Sequence, residues 1–280
     1  LWRSLLYGNQ PAGWDIVGNK NSISKFSREA LIDYVSHQYV ASNTVVCVAG
    51  NITQREVERI VKTKFKGIST GAFLQKSEVK DHQDNPGVLV EYRKIDQTHI
   101  MLGTRGYNLF HSKRYAQSVL SVLLGGMMSS RMFVEVREKL GLAYSISTSA
   151  EVDPDVGFFV TQAGLQNNNV EKAIVTILKE YKKIASHLVS SDELKKAKEN
   201  MKGKMALALE SSNEQAMFYG LQEILQKDIY LPEKIYDKID AVSRKDIKEV
   251  AQELFVAEKI NLVVLGPFKD KNKFQKLISW

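Results

Sequence analysis

The chain is 280 residues long, 44% apolar and 25% charged, a balance that supports one or two globular domains with a full core and excludes a disordered, collagen-like or coiled-coil protein. Its net charge of +7 comes from 39 basic and 32 acidic residues mixed along the chain, which suits solubility and mild steering of anionic partners, not a nucleic-acid groove. The single cysteine, Cys47, excludes an internal disulfide and a cysteine metal cluster and suits a reducing, cytoplasmic setting. No apolar run reaches the roughly 18 to 20 residues of a membrane span, and the start at Leu1-Trp2-Arg3 without methionine leaves export open.

In chain order, a helix is predicted over residues 27 to 39, capped by Ser27 and carrying Leu31, Tyr34, Val35 and Tyr39. A β-branched run over 44 to 49, stopped by Gly50, reads as a strand, and a helix begins near Thr53. Residues 67 to 86 are polar and turn-rich and form the one plausible linker. Strands follow over 88 to 93 and 98 to 105, with Gln97 and His99 alternating; His99 reads as a satisfied histidine in preference to a ligand. A long helix opens at His111 or Ser112, with Tyr115, Val119, Val122 and Leu123 on one stripe. It is interrupted at Gly125-Gly126 and resumes from Ser129 through Arg137 to a stop at Gly141.

Two strands come next, over 143 to 150 and 156 to 164, joined by the turn Asp153-Pro154-Asp155. Helices are predicted from about 170 to 185, and from a Ser190-x-x-Glu193 capping box to about 226 with Gly203 and Gly220 as weak points. The chain closes with a helix opened by Ser243, a strand over 260 to 265 and a last helix near Lys271. This order specifies an α+β fold: an antiparallel-rich sheet with helices packed on one face.

The closing segment is a faint copy of an earlier one. Residues 27 to 50 align without a gap on 243 to 266, an offset of 216, matching Ser27/Ser243, Arg28/Arg244, Val40/Val256, Ala41/Ala257, Val48/Val264 and Gly50/Gly266. Both windows read serine cap, amphipathic helix, short apolar strand, glycine. The common occurrence of that unit explains the match equally well as chance. Taken as a repeat, it implies two related domains of which the first is truncated: residues 1–66 as its C-terminal part, 67–87 as linker and 88–280 as a complete second domain. About 130 residues of the first unit would then precede Leu1.

The stretch from Leu123 to Ser145, Leu-Leu-Gly-Gly-Met-Met-Ser-Ser-Arg-Met-Phe-Val-Glu-Val-Arg-Glu-Lys-Leu-Gly-Leu-Ala-Tyr-Ser, resembles the pitrilysin/insulinase family of zinc peptidases, closest to the processing-peptidase branch. Leu6-Tyr7-Gly8 through Pro11 and Gly13, Ile16-Val17-Gly18, the helix over 27 to 39 and residues 45 to 50 look like the same family. The resemblance therefore covers nearly the whole chain. It implies two related α+β domains per half-clamshell and zinc held through His-x-x-Glu-His. His37, His82, His99, His111 and His187 do not form that motif, so zinc belongs to the intact parent, with ligands expected upstream and no metal held by this chain.

The same resemblance places a carbonyl-stabilising pair on Arg137 and Tyr144, because hydrolysis builds negative charge on the scissile oxygen and fixed donors meet it. Taken without it, Arg137 reads as a surface partner of residues near Glu135, and Tyr144 as packing at a strand start. Gly125, Gly126 and Ser130 are the candidate substrate-binding positions, with Gly125-Gly126 either a flexible groove loop or a plain break between helices. Met127 and Met128 could line a peptide site or fill a core, and Lys195, Lys196, Lys198, Lys202 and Lys204 look like a solvated helix face. The implied function is the C-terminal portion of a zinc endopeptidase that encloses an extended peptide or protein substrate. The chain by itself is expected to be inactive, and to occur as a homodimer or paired with a zinc-bearing chain. The alternative is a non-catalytic family relative serving as a partner or scaffold subunit; a nucleic-acid binder has only the basic balance in its favour, and no membrane partner is expected.

Overall fold

Alternating and β-branched residues build one sheet among the described residues from Gly87–Tyr92 (β1), Gln97–Arg105 (β2), Ala143–Val152 (β3), Gly157–Gln166 (β4) and Asn261–Gly266 (β5), in the order β1-β5-β2-β4-β3. Only β1 and β5 run parallel; β2 pairs antiparallel with β5 and β4, and β3 antiparallel with β4. The computed structural model describes residues 1–226 and 228–279. The helices are Trp2–Tyr7 (α1), Lys20–Ile23 (α2), Arg28–Gln38 (α3), Gln54–Lys64 (α4), Arg114–Ser121 (α5), Val170–Ser186 (α6), Ser191–Ala208 (α7), Ser212–Gln226 (α8), Pro232–Asp240 (α9), Arg244–Leu254 (α10) and Lys271–Ile278 (α11).

The chain forms two units: Leu1–Trp14, Val79–Lys202 and Ile235–Trp280 in one, Asp15–Glu78 and Gly203–Lys234 in the other. This grouping does not follow the chain-order boundaries at 66 and 88, because the first 14 residues fold with the sheet.

In the sheet unit, Ile100, Leu102, Phe159, Leu165, Leu262 and Val264 point to one face and are buried against Val119, Leu120, Ile174, Ile177, Ile247, Val250 and Leu254 of α5, α6 and α10. At the centre, Phe159 meets Tyr181 and Phe255 edge-on, while Tyr181 and Phe255 stack with ring centres 4.1 Å apart. The buried Tyr181 hydroxyl donates to the Leu102 carbonyl at 3.0 Å and shares a hydrogen bond with Thr161 at 2.7 Å; Thr161 in turn bonds Thr148 at 2.8 Å. Every hydroxyl of that buried chain is therefore satisfied.

One short helix departs from the one-face arrangement. Trp2, Leu6 and Tyr7 of α1 bury against Val156, Phe158, Val160 and Val263 on the opposite face of the sheet. Tyr7 donates to the Gly157 carbonyl at 2.8 Å, and Arg3 pairs with Asp153 at 2.8 Å. Burial, reinforced by the negative charge of Asp81, pushes the Tyr7 hydroxyl far above its ordinary pKa and keeps it a donor.

The two copies of the repeat share local geometry residue for residue. Ser27 and Ser243 both accept an N–H on the side-chain oxygen at 3.1 Å, from Ala30 and from Asp246. α3 and α10 each span 11 residues, and each is followed by a 3₁₀ turn, Ala41–Asn43 and Ala257–Lys259. The cap residues Tyr39 (φ −94, ψ 60) and Phe255 (φ −91, ψ 58) coincide in conformation.

The copies part where partners enter. β5 lies between β1 and β2, whereas the strand expected over 44 to 49 does not form; the segment stays irregular, with Val45, Val46 and Val48 exposed. A strand needs a neighbour for its N–H and C=O groups, and none pairs with this run among the described residues. Leu31 and Tyr34 of α3 are likewise exposed, where Ile247 and Val250 of α10 are buried. A second expectation is also corrected: Gly203 and Gly220 lie inside α7 and α8, and the break falls at residues 209 to 211. A lone helical glycine costs only about 1 kcal/mol and does not stop a helix.

Phe159 has no exposed surface and touches two other rings, so Phe159→Ala should cost about 3–5 kcal/mol. The loss should appear as a lower urea midpoint with an unchanged slope.

Candidate functional site

The segment that carries the motif is built on a close helix–strand approach. α5 continues into a π-helical turn, Val122–Gly126, that lies against β3. A Cβ on Gly125 would stand 2.3 Å from the Thr148 Oγ1 and 2.4 Å from its backbone nitrogen, so only glycine fits. Met127 is extended (φ −146, ψ 162) and ends the helix. The chain turns through Ser130, whose N–H donates to the Met127 carbonyl at 3.0 Å, and a second π-helical segment, Phe133–Lys139, follows.

Gly125 and Ser130 are buried and Gly126 is half-buried. Gly125 packs on Thr148, as the close approach requires, and the buried Ser130 hydroxyl has no hydrogen-bond partner among the described residues. Met127 packs against the core, while Met128 is 75% exposed. The lysine stripe is partly engaged: Lys202 pairs with Glu199 at 2.8 Å and with Asp240 at 3.0 Å, and Lys198 donates to the Asp240 carbonyl.

The second π-helical segment is pinned at its base. Arg131 grips Glu193 with two hydrogen bonds, Nε to Oε1 at 2.7 Å and Nη2 to Oε2 at 3.0 Å, joining it to the first turn of α7. The other end is free. Arg137 is exposed with its guanidinium 4.7 Å from the Phe133 ring centre. It has no ion pair or hydrogen bond among the described residues, because Glu135 is taken by Lys139 at 2.7 Å.

Gly141 adopts φ +59, a left-handed conformation that glycine takes without strain, and the Leu142 N–H closes on the Val136 carbonyl at 2.9 Å. β3 then starts with a bulge: Ala143 faces Leu165, Ser145 faces Gly164, and Tyr144 is the unpaired residue between them. Its side chain is 80% exposed and its hydroxyl has no partner among the described residues.

Arg137 and Tyr144 thus flank one tight turn, each exposed, each with unspent donors, at the start of an edge strand whose outer N–H and C=O groups pair with no other described strand. Such an arrangement can donate to a developing oxyanion and can align an extended chain. Among the described residues no group of three or more His, Cys, Asp or Glu is placed to hold a metal ion. Sequence reasoning reached Arg137, Tyr144 and Gly141 but not the bulge, the edge position of β3 or the Arg131–Glu193 clamp. The clamp had a partial signal, since Glu193 stood out as the capping-box acid; the bulge had none.

Comparison with known proteins bears on the same segment. The model for the peptidase M16 inactive domain matches residues 25–201. A protein of Bacillus subtilis described as an uncharacterized zinc protease is 31% identical over 265 residues, covering 93% of this chain and 63% of the relative. One of Streptomyces coelicolor with the same description is 27% identical, over 97% and 60%. The chain spans less than two thirds of these relatives. Among solved structures, a peptidase M16 inactive domain from Pseudomonas fluorescens superposes with a TM-score of 0.85 at 19% identity, covering 96% of this chain and 65% of that one. A complex III2 structure from Candida albicans gives 0.83 at 17%, covering 99% and 68%. At those identities the structures show the shared fold.

Removing either member of the Arg131–Glu193 clamp leaves a partly buried charge unpaired. Arg131→Ala and Glu193→Ala should each destabilise the protein, and a double-mutant cycle by urea denaturation should return a coupling of about 1–2 kcal/mol.

Proposed function

Since this chain belongs to the M16 peptidase family, we propose that it is the C-terminal portion of a zinc-dependent endopeptidase, in which it encloses an extended peptide and stabilises the scissile carbonyl with Arg137 and Tyr144. The observation that carries this reading is the exposure of both side chains, without polar partners, on either side of the Gly141 turn.

Addition of water to the peptide carbonyl places negative charge on its oxygen before the C–N bond breaks. A guanidinium and a phenol each offer a hydrogen bond to that oxygen. The free edge of β3 offers backbone N–H and C=O groups that hold the peptide extended beside them. Zinc supplies water activation in hydrolases of this kind; no group of the described residues fits it, and we assign its ligands to another part of the complete protein. The repeat supports two related domains, with residues 1–66 assigned to the first and 88–280 to the second. A second copy or a zinc-bearing chain would complete the enclosure.

A second reading, a non-catalytic subunit, is supported by the match to a family model described as an inactive domain. Peptide turnover by the complete protein separates the two. Under the proposed function, Arg137→Ala in the complete protein should lower turnover about 10- to 1000-fold. Arg137→Lys should fail to restore it, because an ammonium lacks the fixed fork. Unchanged turnover in Arg137→Ala removes the assignment. The 280-residue chain by itself should neither cleave peptides nor hold an equivalent of zinc by elemental analysis; a tightly held zinc removed by chelator would contradict this.

A further inference from the structure

The lysines of α7 that read as one solvated stripe divide once the helix is folded. Lys195, Lys198 and Lys202 recur at the i, i+3, i+7 spacing of a single helix face, while Lys196 and Lys204 fall on another. The first face meets the end of α9 and the start of α10, and a cavity of about 230 Å³ opens among them. Buried Leu194 forms part of its wall, and Lys195, Lys198, Glu199, Asp240 and Arg244 supply the charges around it.

Both acids of the wall are held by one group. Lys202, whose side chain is only 20% exposed, pairs with Glu199 at 2.8 Å and reaches both carboxylate oxygens of Asp240 at 3.0 Å. Lys198 is left with the Asp240 backbone carbonyl, to which its amine donates at 2.8 Å. Arg244 spends only Nε, on the Val189 carbonyl, and Lys195 has no polar partner among the described residues. Four positive charges thus stand against two negative ones, and Lys195, Lys198 and Arg244 have N–H groups to spare.

Burial pulls Lys198 below the ordinary lysine pKa against the opposing charge of Asp240, and Lys202 adds to the lowering. Asp246, the further acid that Lys198 feels, is turned to its own helix start, where it accepts the Ser243 N–H at 2.7 Å. A partly buried ammonium short of a counter-ion is one that an incoming anion stabilises.

We propose that Lys195, Lys198 and Arg244 form a binding site, in the cavity among α7, α9 and α10, for the dianionic phosphoryl group of a small molecule or for free phosphate. The two lysines approach from α7 and the arginine from α10, so the spare donors lie on two walls. A carboxylate presents two oxygens in one plane, whereas a phosphoryl group presents three on a tetrahedron, each able to face a different donor. Its double negative charge equals the excess on the wall, and the Ser191 hydroxyl adds a neutral donor. The volume falls below the roughly 300–1,000 Å³ of pockets for drug-sized ligands, so it suits a phosphoryl group with a few further atoms. The site shares no residue with the Arg137 and Tyr144 pair and does not depend on the peptide-cleaving reading.

The test is isothermal titration calorimetry of the complete protein in low-salt buffer at about pH 8, where phosphate carries close to two negative charges. The ligands are inorganic phosphate, glycerol phosphate and succinate. The better phosphoryl ligand should bind with a Kd of about 1 mM or below, and succinate about tenfold more weakly. Tighter binding of glycerol phosphate identifies a phosphorylated small molecule as the occupant; tighter binding of inorganic phosphate identifies the free anion. Lys195→Ala and Arg244→Gln should each weaken binding about tenfold, the loss of one charge-assisted contact. Lys196→Ala removes the same charge from another face of the same helix and should leave binding unchanged. No saturable binding below about 10 mM, succinate binding as tightly as phosphate, or an equal loss in Lys196→Ala and Lys195→Ala overturns the site. Lys195 holds no polar partner among the described residues, so its variant should fold as the parent does. Melting temperatures identify any loss in Arg244→Gln that reflects the broken bond to Val189.

Discussion

The contact between Gly125 and Thr148 is the constraint on which the candidate site rests. It brings a π-helical turn to within backbone distance of β3, where any side chain larger than hydrogen would push the two apart. Thr148 is itself tied through Thr161 and Tyr181 to the backbone of β2, and Tyr181 is stacked on Phe255 of the α10 cap. The helix layer and the sheet are thereby locked to one another at a single level of the core. The turn that presents Arg137 and Tyr144 extends from this assembly, with the Arg131–Glu193 clamp as a second anchor. Two exposed side chains can be held in a reproducible relation because what lies beneath them is densely packed and anchored by these hydrogen bonds.

Much of this was legible in the chain itself, and the reasons differ by element. β2, α6 and α10 declare themselves through strong apolar periodicity and capping serines or acids, since burial on one face dictates the pattern. The motif from Gly125 to Ser145 located the exposed arginine and tyrosine. What stayed hidden depends on contacts between distant residues. Gly125 reads equally as a loop or as a packing glycine, because the choice is made by Thr148, 23 positions later. The bulge at Tyr144 leaves no mark in composition, as a one-residue mismatch of register is a property of two strands and not of one. The run over 44 to 49 carries every local mark of a strand and still does not form one, because propensity supplies no partner.

The repeat makes that last point quantitative within one molecule. The same eleven-residue helix, serine cap and 3₁₀ turn occur twice with matching dihedrals, so these features are set locally. In the second copy the apolar residues are buried and the strand is paired on both sides; in the first, Leu31, Tyr34, Val45, Val46 and Val48 face outward. Side chains with the same local instructions end in core or at surface according to what stands beside them.

The placement of α1 on the reverse of the sheet means that the body bearing the site is discontinuous along the polypeptide. Its second face is finished by the first fourteen residues, which lie before Asp15–Glu78 in the chain, a stretch belonging to the other unit. A fragment beginning in the polar stretch after residue 66 would look like a sensible autonomous piece, yet it would leave Phe158, Val160 and Val263 facing water. Any attempt to isolate this body for crystallography, or to graft it elsewhere, therefore has to carry the opening helix with it, by circular permutation or as a peptide supplied in trans.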